Sequence, residues 1–188
     1  MNLEKTGRLW LICIVLTGCA FLMFSGCTTS QPGARTGDTV TVYYSVSFPD
    51  GPVFDSNENG TPLEFTIGAG QMIPGFDEAV VAMKPGQTKT VTVPPEKAYG
   101  PYQPERVYTA WTSEALENME ERIANNEIRV LQYPGMEPVY VWERSDGSIV
   151  YLRFSNITDQ TTTVDQNHPL AGKDLVFEIT LVEIVSKA

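Results

Sequence analysis

The chain has 188 residues, 42% of them hydrophobic and 19% charged, which suits one ordinary domain or two small ones and excludes a disordered tail or linker. Its formal charge is -10, and loss of residues 1–26, with Glu4, Lys5 and Arg8, turns the 13 basic and 23 acidic side chains into 11 and 22. Such a surface repels phosphate backbones, so no nucleic-acid partner is expected.

Lys5 and Arg8 precede an uncharged stretch from Leu9 to Gly26, the pattern of a signal peptide or membrane anchor. Phe24-Ser25-Gly26-Cys27 resembles a lipobox, with Cys27 as the lipidated residue; Leu16-Thr17-Gly18-Cys19 fits better at its first position but would leave apolar Ala20 to Phe24 on the mature end. Two readings stay open: cleavage with lipid on Cys27, or an uncleaved 18-residue anchor at 9–26. Both place the globular part outside the cytoplasmic membrane, with residues 27–38 as a polar tether. All three cysteines, Cys13, Cys19 and Cys27, lie in this segment, so nothing downstream forms a disulfide or a thiolate metal site. No metal or other cofactor is expected, because His168 is the single histidine and the acidic residues lack calcium-loop spacing.

Thr39 to Phe48 alternates and is rich in β-branched and aromatic residues, which predicts a strand closed by the turn Pro49-Asp50-Gly51. Leu63 to Ile67 reads as a second short strand. Phe76, Ala79, Val80 and Met83 share one face of a helix that starts at Pro74 and stops at Lys84-Pro85-Gly86. Gln87 to Pro94 and Asp174 to Val185 are further strands, giving an α+β fold: an antiparallel sheet packed on one short helix.

Residues 102–167 differ in texture, holding eight aromatic residues, and read as an inserted small α+β, mainly β, domain. The expected boundaries are 1–26 for the signal peptide or anchor, 27–38 for the tether, 39–101 with 168–188 for the main domain and 102–167 for the insert. In the insert a helix is expected from Thr112 as N-cap, stapled by Trp111 and Leu116, carrying Leu116, Met119 and Ile123 on one face and ending near Asn125-Asn126. Pro138 to Arg144 and Ser148 to Phe154 flank the turn Ser145-Asp146-Gly147 as a hairpin, with Thr161 to Val164 as a possible third strand. Held by two short crossings, the insert is expected to touch the rest little and to be mobile. Some of its aromatics, with Met119 and Met136, are expected to form an exposed peptide-binding patch.

No nucleophile elbow, phosphate loop or plausible triad is present. The segments Gly37 to Tyr44, Val53-Phe54-Asp55-Ser56, Gly68 to Phe76 (GAGQMIPGF), Ala98-Tyr99-Gly100 and Asn167 to Gly172 (NHPLAG), in that order and spacing, resemble the FKBP-type peptidyl-prolyl cis-trans isomerases. The run Ala98 to Tyr102, leading into an insert that returns through Asn167-His168, is similar to the SlyD-like branch with an insert-in-flap chaperone domain. The resemblance covers about residues 37–107 and 165–186.

It implies a pocket lined by Tyr44, Phe54, Met72, Ile73, Phe76, Tyr99 and Phe177, with Leu63 at a position often aromatic in relatives. Phe76 would floor the pocket under the proline ring and Asp55 would sit by the substrate carbonyl. The Tyr99 hydroxyl and the Ile73 N–H would bind peptide carbonyls, and no cofactor is implied. Phe76 stands where the best-known relatives have Trp, which bears on macrolide affinity more than on catalysis. Nothing from the insert is carried into the pocket. His168 reads as a structural hydrogen-bonding residue. The implied function is a membrane-anchored, extracytoplasmic, monomeric isomerase acting on unfolded or partly folded proteins with X-Pro bonds, with chaperone activity from the insert. The alternative is a peptide-binding holdase with a weak isomerase pocket. Deleting 103–166 is expected to remove aggregation suppression and spare turnover of a short proline peptide.

Overall fold

In chain order the elements are β1 (Thr39–Ser47), β2 (Val53–Ser56), β3 (Leu63–Thr66), α1 (Pro74–Val80), β4 (Thr88–Val93), β5 (Val107–Trp111), α2 (Thr112–Ala115), α3 (Met119–Ala124), β6 (Arg129–Leu131), β7 (Val139–Glu143), β8 (Ile149–Ser155), β9 (Thr161–Asp165) and β10 (Leu175–Ser186). This computed structural model describes residues 32–117 and 119–186. The apolar N-terminal segment and all three cysteines, including Cys27, lie outside the described residues. None of the described helices is long and apolar enough to cross a membrane.

The first sheet is antiparallel, in the order β2-β1-β10-β4, with β3 also paired to β1. Period-2 alternation in β1 buries Val40, Val42 and Val46, and in β10 it buries Leu175, Phe177, Ile179 and Leu181. The two strands pair along their whole length, from Thr39 opposite Ser186 to Ser47 opposite Val176. β1 serves two partners on its other edge: β3 along Thr39 to Val42, and β2 along Ser45 to Ser47. The α1 helix covers this sheet and contributes Phe76, Ala79 and Val80 to its core.

That helix ends three residues before the apolar stripe does. Val81 leaves helical geometry (φ -55, ψ 135), Ala82 has φ 66, and the chain pairs with Ala34 instead. The Ala82 N–H donates to the Ala34 carbonyl and the Ala34 N–H to the Met83 carbonyl, each at 2.8 Å. Met83 is still buried, so the stripe reaches the core although the helix stops three residues short of it.

The second sheet, order β5-β9-β8-β7-β6, is antiparallel throughout. Its core joins Met119, Ile128, Phe154 and Val164, so Met119 is an interior residue and does not belong to an exposed patch. The expected hairpin is present as β7 and β8, closed by Gly147 at φ 81 with its N–H on the Arg144 carbonyl. The single helix expected from Thr112 is broken at Leu116 (φ -104, ψ 2). Thr112 caps nothing: its hydroxyl donates to the Thr158 carbonyl at 2.8 Å, and Trp111, 62% exposed, forms no staple. The stop at Asn126 (φ 58) agrees with the sequence.

The described residues fall within one compact unit, Gln31–Ala188, and the crossings between the sheets are tied together. Asp165 Oδ1 accepts the Asn167 N–H and Nδ2, both at 2.8 Å, while Oδ2 accepts the Tyr102 hydroxyl at 3.1 Å and the Arg153 guanidinium. The Asn167 side chain completes a two-way pair with the Gln103 backbone, 2.9 Å each way. Burial disfavours the Asp165 carboxylate, but the bonds from Asn167 and Arg153 outweigh it and hold its pKa below the usual value. Gly172, at φ 70, donates its N–H to the Gly100 carbonyl, and a Cβ there would stand 2.8 Å from that of Tyr102. The Asp165 network joins the two short crossings to each other, with all of its members between residues 102 and 167.

Candidate active site

A cavity of about 760 Å³ opens beside the start of α1. The Pro74-Gly75 start fixes its floor: Pro74 suits the first helical position, and a Cβ on Gly75 would run into Val93. Close packing there drives Phe76 inward to 0% exposure, where Tyr44, Phe65 and Phe177 meet its ring edge-to-face with centroids 5.9, 5.6 and 5.4 Å away. Val46, Leu170, Leu175 and Phe177 make the rest of the deep lining apolar.

Polar groups stand around the mouth. Tyr44 on β1 donates its hydroxyl to Asp55 Oδ2 at 3.0 Å; burial, then that bond, push its pKa up to about 12, so it remains a donor. Asp55 is placed by β2, and β2 is held by a residue the sequence reading passed over. The Asn57 side chain accepts the Tyr44 N–H at 2.7 Å and donates to the Val42 carbonyl at 3.1 Å, taking the place of a strand neighbour. Ile73 is the N-cap of α1, so its N–H lies outside the helix's own hydrogen bonding.

Tyr99 follows a short 3₁₀ turn, Pro95–Lys97, and lies on the rim, 40% exposed. Its ring stacks on His168 at 4.1 Å and 5°. Phe54 packs between Phe48 at 4.8 Å and Tyr133 at 5.4 Å. Tyr133 comes from the turn between β6 and β7, braced by Gln132 Nε2 on the Met136 carbonyl at 2.7 Å, and with Leu131 and Gln132 it walls the cavity. The family resemblance carries no residue of 102–167 into the pocket, and the structure adds these three. Tyr133 sits in the turn Tyr133-Pro134-Gly135, where no family motif marks it.

Of the sequence-predicted residues, Tyr44, Phe54, Asp55, Met72, Ile73, Phe76, Tyr99 and Phe177 line this cavity together. Leu63 does not. It pairs with Val42 in β3 and packs, half-buried, against the core of the first sheet. Cys27 lies outside the described residues.

His168 is held as the sequence suggested, its Nδ1 accepting the Leu170 N–H at 3.2 Å, and burial lowers its pKa from 6.5 to about 4. The folded state therefore binds this proton more weakly than the unfolded chain, so its contribution to stability is complete above about pH 6.5 and drains as pH falls towards 4. We expect the melting temperature of the wild type to drop from pH 7 to pH 5 by more than that of His168→Phe; parallel curves would show that the imidazole titrates normally.

The chemistry open to this arrangement needs no nucleophile. A prolyl amide resists rotation by roughly 18–20 kcal/mol because resonance stiffens its C–N bond, and the twisted transition state loses that resonance. A dry floor with donors at the mouth favours the less polar, twisted form, and each tenfold of rate needs about 1.4 kcal/mol. The fold and site make a closed-bottomed aromatic pocket with polar groups at its mouth, an arrangement suited to a peptide's apolar ring.

The comparisons agree with that reading. A profile of the FKBP-type peptidyl-prolyl cis-trans isomerases matches residues 31–182. The chain is 31% identical over 169 residues to the short-type peptidyl-prolyl cis-trans isomerase of Methanocaldococcus jannaschii, covering 80% of this chain and 93% of that protein. It is 32% identical over 146 residues to the FKBP-type isomerase SlyD of Treponema pallidum, 76% of this chain and 73% of that one. FK506-binding protein 2 of Yarrowia lipolytica is 47% identical over 68 residues, 36% of this chain and 47% of its own. The chain belongs to the FKBP-type peptidyl-prolyl cis-trans isomerase family.

Proposed function

We propose that this isomerase is anchored at the outer face of the cytoplasmic membrane and speeds the folding of exported proteins, binding them also through residues 102–167 as a chaperone-like insert. The observation that carries the catalytic reading is the fully buried Phe76 under an aromatic cavity with Tyr99 at its mouth. The proline ring sits on Phe76 between Tyr44, Phe54 and Phe177, with Met72 beside them. Asp55, kept in place by the Tyr44 hydroxyl, faces the carbonyl that twists. The Ile73 N–H and the Tyr99 hydroxyl bind the carbonyls of the flanking peptide units, so the chain is fixed while the bond between them turns. Removing one neutral hydroxyl costs roughly 0.5–1.5 kcal/mol. Tyr99→Phe is accordingly expected to lower kcat/KM for a proline tetrapeptide by roughly two- to tenfold; an unchanged value would take Tyr99 out of the substrate contacts.

The chaperone reading rests on a second cavity of about 660 Å³ on the second sheet, lined by Tyr108, Trp111, Leu152 and Phe154, with Tyr108 and Trp111 47% and 62% exposed. If it holds unfolded chains, Trp111→Ser should weaken suppression of aggregation without altering tetrapeptide turnover. A holdase with a weak prolyl pocket would show the reverse emphasis: full suppression and little turnover.

The anchor reading rests on the sequence at 1–27. Mass spectrometry of membrane-extracted protein is expected to show loss of residues 1–26 and an acyl-bearing Cys27. An intact Met1 would favour the uncleaved anchor. The protein is proposed to act as a monomer.

A further inference from the structure

We propose that His168 is a positioning residue for Tyr99, and that the second sheet reaches the prolyl site through it, Tyr151 bracing the imidazole and the imidazole bracing the Tyr99 ring. The inference rests on the reading of Tyr99 as a substrate-binding group. Tyr99 is a half-exposed side chain on an irregular stretch, between a 3₁₀ turn and Gly100 at φ 80. Nothing in such a backbone fixes where a phenol points, and a tyrosine ring that swings moves its hydroxyl by several ångströms. A hydroxyl that binds a carbonyl beside a rotating amide is useful only if it stays put.

The imidazole supplies what the backbone does not. It lies flat against the Tyr99 ring, centroids 4.1 Å apart and planes 5° from parallel. The His168 ring is itself held on two further sides. Its Nδ1 accepts the Leu170 N–H at 3.2 Å, and the ring of Tyr151, on β8, meets it edge-on at 4.7 Å and 68°. The bond at Nδ1 leaves the proton on Nε2 and fixes the ring plane. Tyr99 therefore leans on a plate that cannot turn without losing a backbone hydrogen bond and an aromatic contact.

The position of His168 in the chain supports the same role. Its neighbour Asn167 is buried in the polar network that ties the two crossings, and Leu170, two residues on, lines the prolyl cavity. One short segment thus carries the tie between the two crossings, the plate behind Tyr99 and part of the pocket wall. Burial keeps the imidazole neutral near pH 7, so its Nδ1 stays available as an acceptor.

The test is a double-mutant cycle on the full-length, detergent-solubilised protein, read as kcat and KM for a proline tetrapeptide, with tyrosine ring NMR signals as a second readout. His168→Leu should lower kcat with little change in KM, by no more than Tyr99→Phe does. In the Tyr99→Phe background it should cost nothing further, because no hydroxyl remains to be placed. His168→Phe, which can still stack, should recover most of the rate and keep the ring-current shift of Tyr99, while Tyr151→Leu should lower kcat part of the way in a protein whose Nδ1 bond is intact. Should His168→Leu fail to fold, the Tyr151→Leu and Tyr99→Phe cycle takes its place.

Equal losses from His168→Leu in both backgrounds would overturn the inference and make His168 a structural residue only. Wild-type turnover in His168→Leu, with Tyr99→Phe slowed, would also overturn it while leaving the site reading intact. A silent Tyr99→Phe would bring down the site reading and the inference with it.

Discussion

Phe76→Ala is expected to lower kcat/KM for a proline tetrapeptide by roughly ten- to a hundredfold, the rate equivalent of the 1.5–3 kcal/mol or so carried by a buried aromatic side chain. The floor of the cavity is this one ring, completely buried and met edge-to-face by three others, so its removal leaves a hole where the proline ring should rest. The same change costs stability, about 3–5 kcal/mol for a Phe→Ala truncation in a packed core, a large share of what holds a domain together. Turnover is therefore compared with that of Phe76→Leu, which keeps most of the volume, at a temperature where melting curves show both folded. A folded Phe76→Ala protein with wild-type turnover would mean the proline ring sits elsewhere.

Joining Pro101 to His168 through a short Gly-rich loop is expected to slow both substrates, by roughly tenfold or more for a tetrapeptide and further for a refolding protein. The sequence alone suggested that the tetrapeptide would be spared. The structure reverses that expectation, because excision takes away Leu131, Gln132 and Tyr133 from the cavity wall and Tyr151 from behind His168. The Phe54–Tyr133 pair contributes about 0.5–1.5 kcal/mol beyond its buried area, and its loss frees Phe54 on one side. The additional loss on a protein substrate reflects a second binding surface no longer tethered beside the pocket. Tyr133→Ala separates the two effects, since it should slow the tetrapeptide and leave aggregation suppression as it was. Tetrapeptide turnover that survives excision would show that the wall from the second sheet contributes nothing.

What the sequence made legible is where local pattern and tertiary outcome agree. The period-2 runs of β1 and β10, the hairpin at Ser145-Asp146-Gly147 and the helical face of Phe76, Ala79 and Val80 all bury the side chains their spacing indicates. The end of α1 was not legible, because it is set by backbone pairing with Ala34, 48 residues from Ala82. Nor was the break at Leu116, where Thr112 spends its hydroxyl on Thr158 rather than on a cap. Short strands such as β2 and β6 have four and three residues, too few to show a period.

The site divides in the same way. Tyr44, Phe54, Asp55, Met72, Ile73, Phe76, Tyr99 and Phe177 were reached through the order and spacing of family motifs, and no single motif would have sufficed. Tyr133 belongs to a segment with no motif and enters the cavity only because the second sheet lies against it. Leu63 was carried over by motif position, yet the register of β3 on β1 turns it to the core instead. The tie between Asp165, Arg153, Tyr102 and Asn167 was likewise invisible, because Tyr102 stands 63 residues from Asp165 and meets it only at the crossings.

The central claim, that the cavity over Phe76 turns an X-Pro bond, is tested most directly by exchange NMR on a proline tetrapeptide at equilibrium, with the full-length protein at catalytic concentration. The account predicts exchange cross-peaks between cis and trans forms that are absent without protein and shrink in Phe76→Ala. No acceleration by the folded wild type, or equal acceleration by folded wild type and Phe76→Ala, would contradict it.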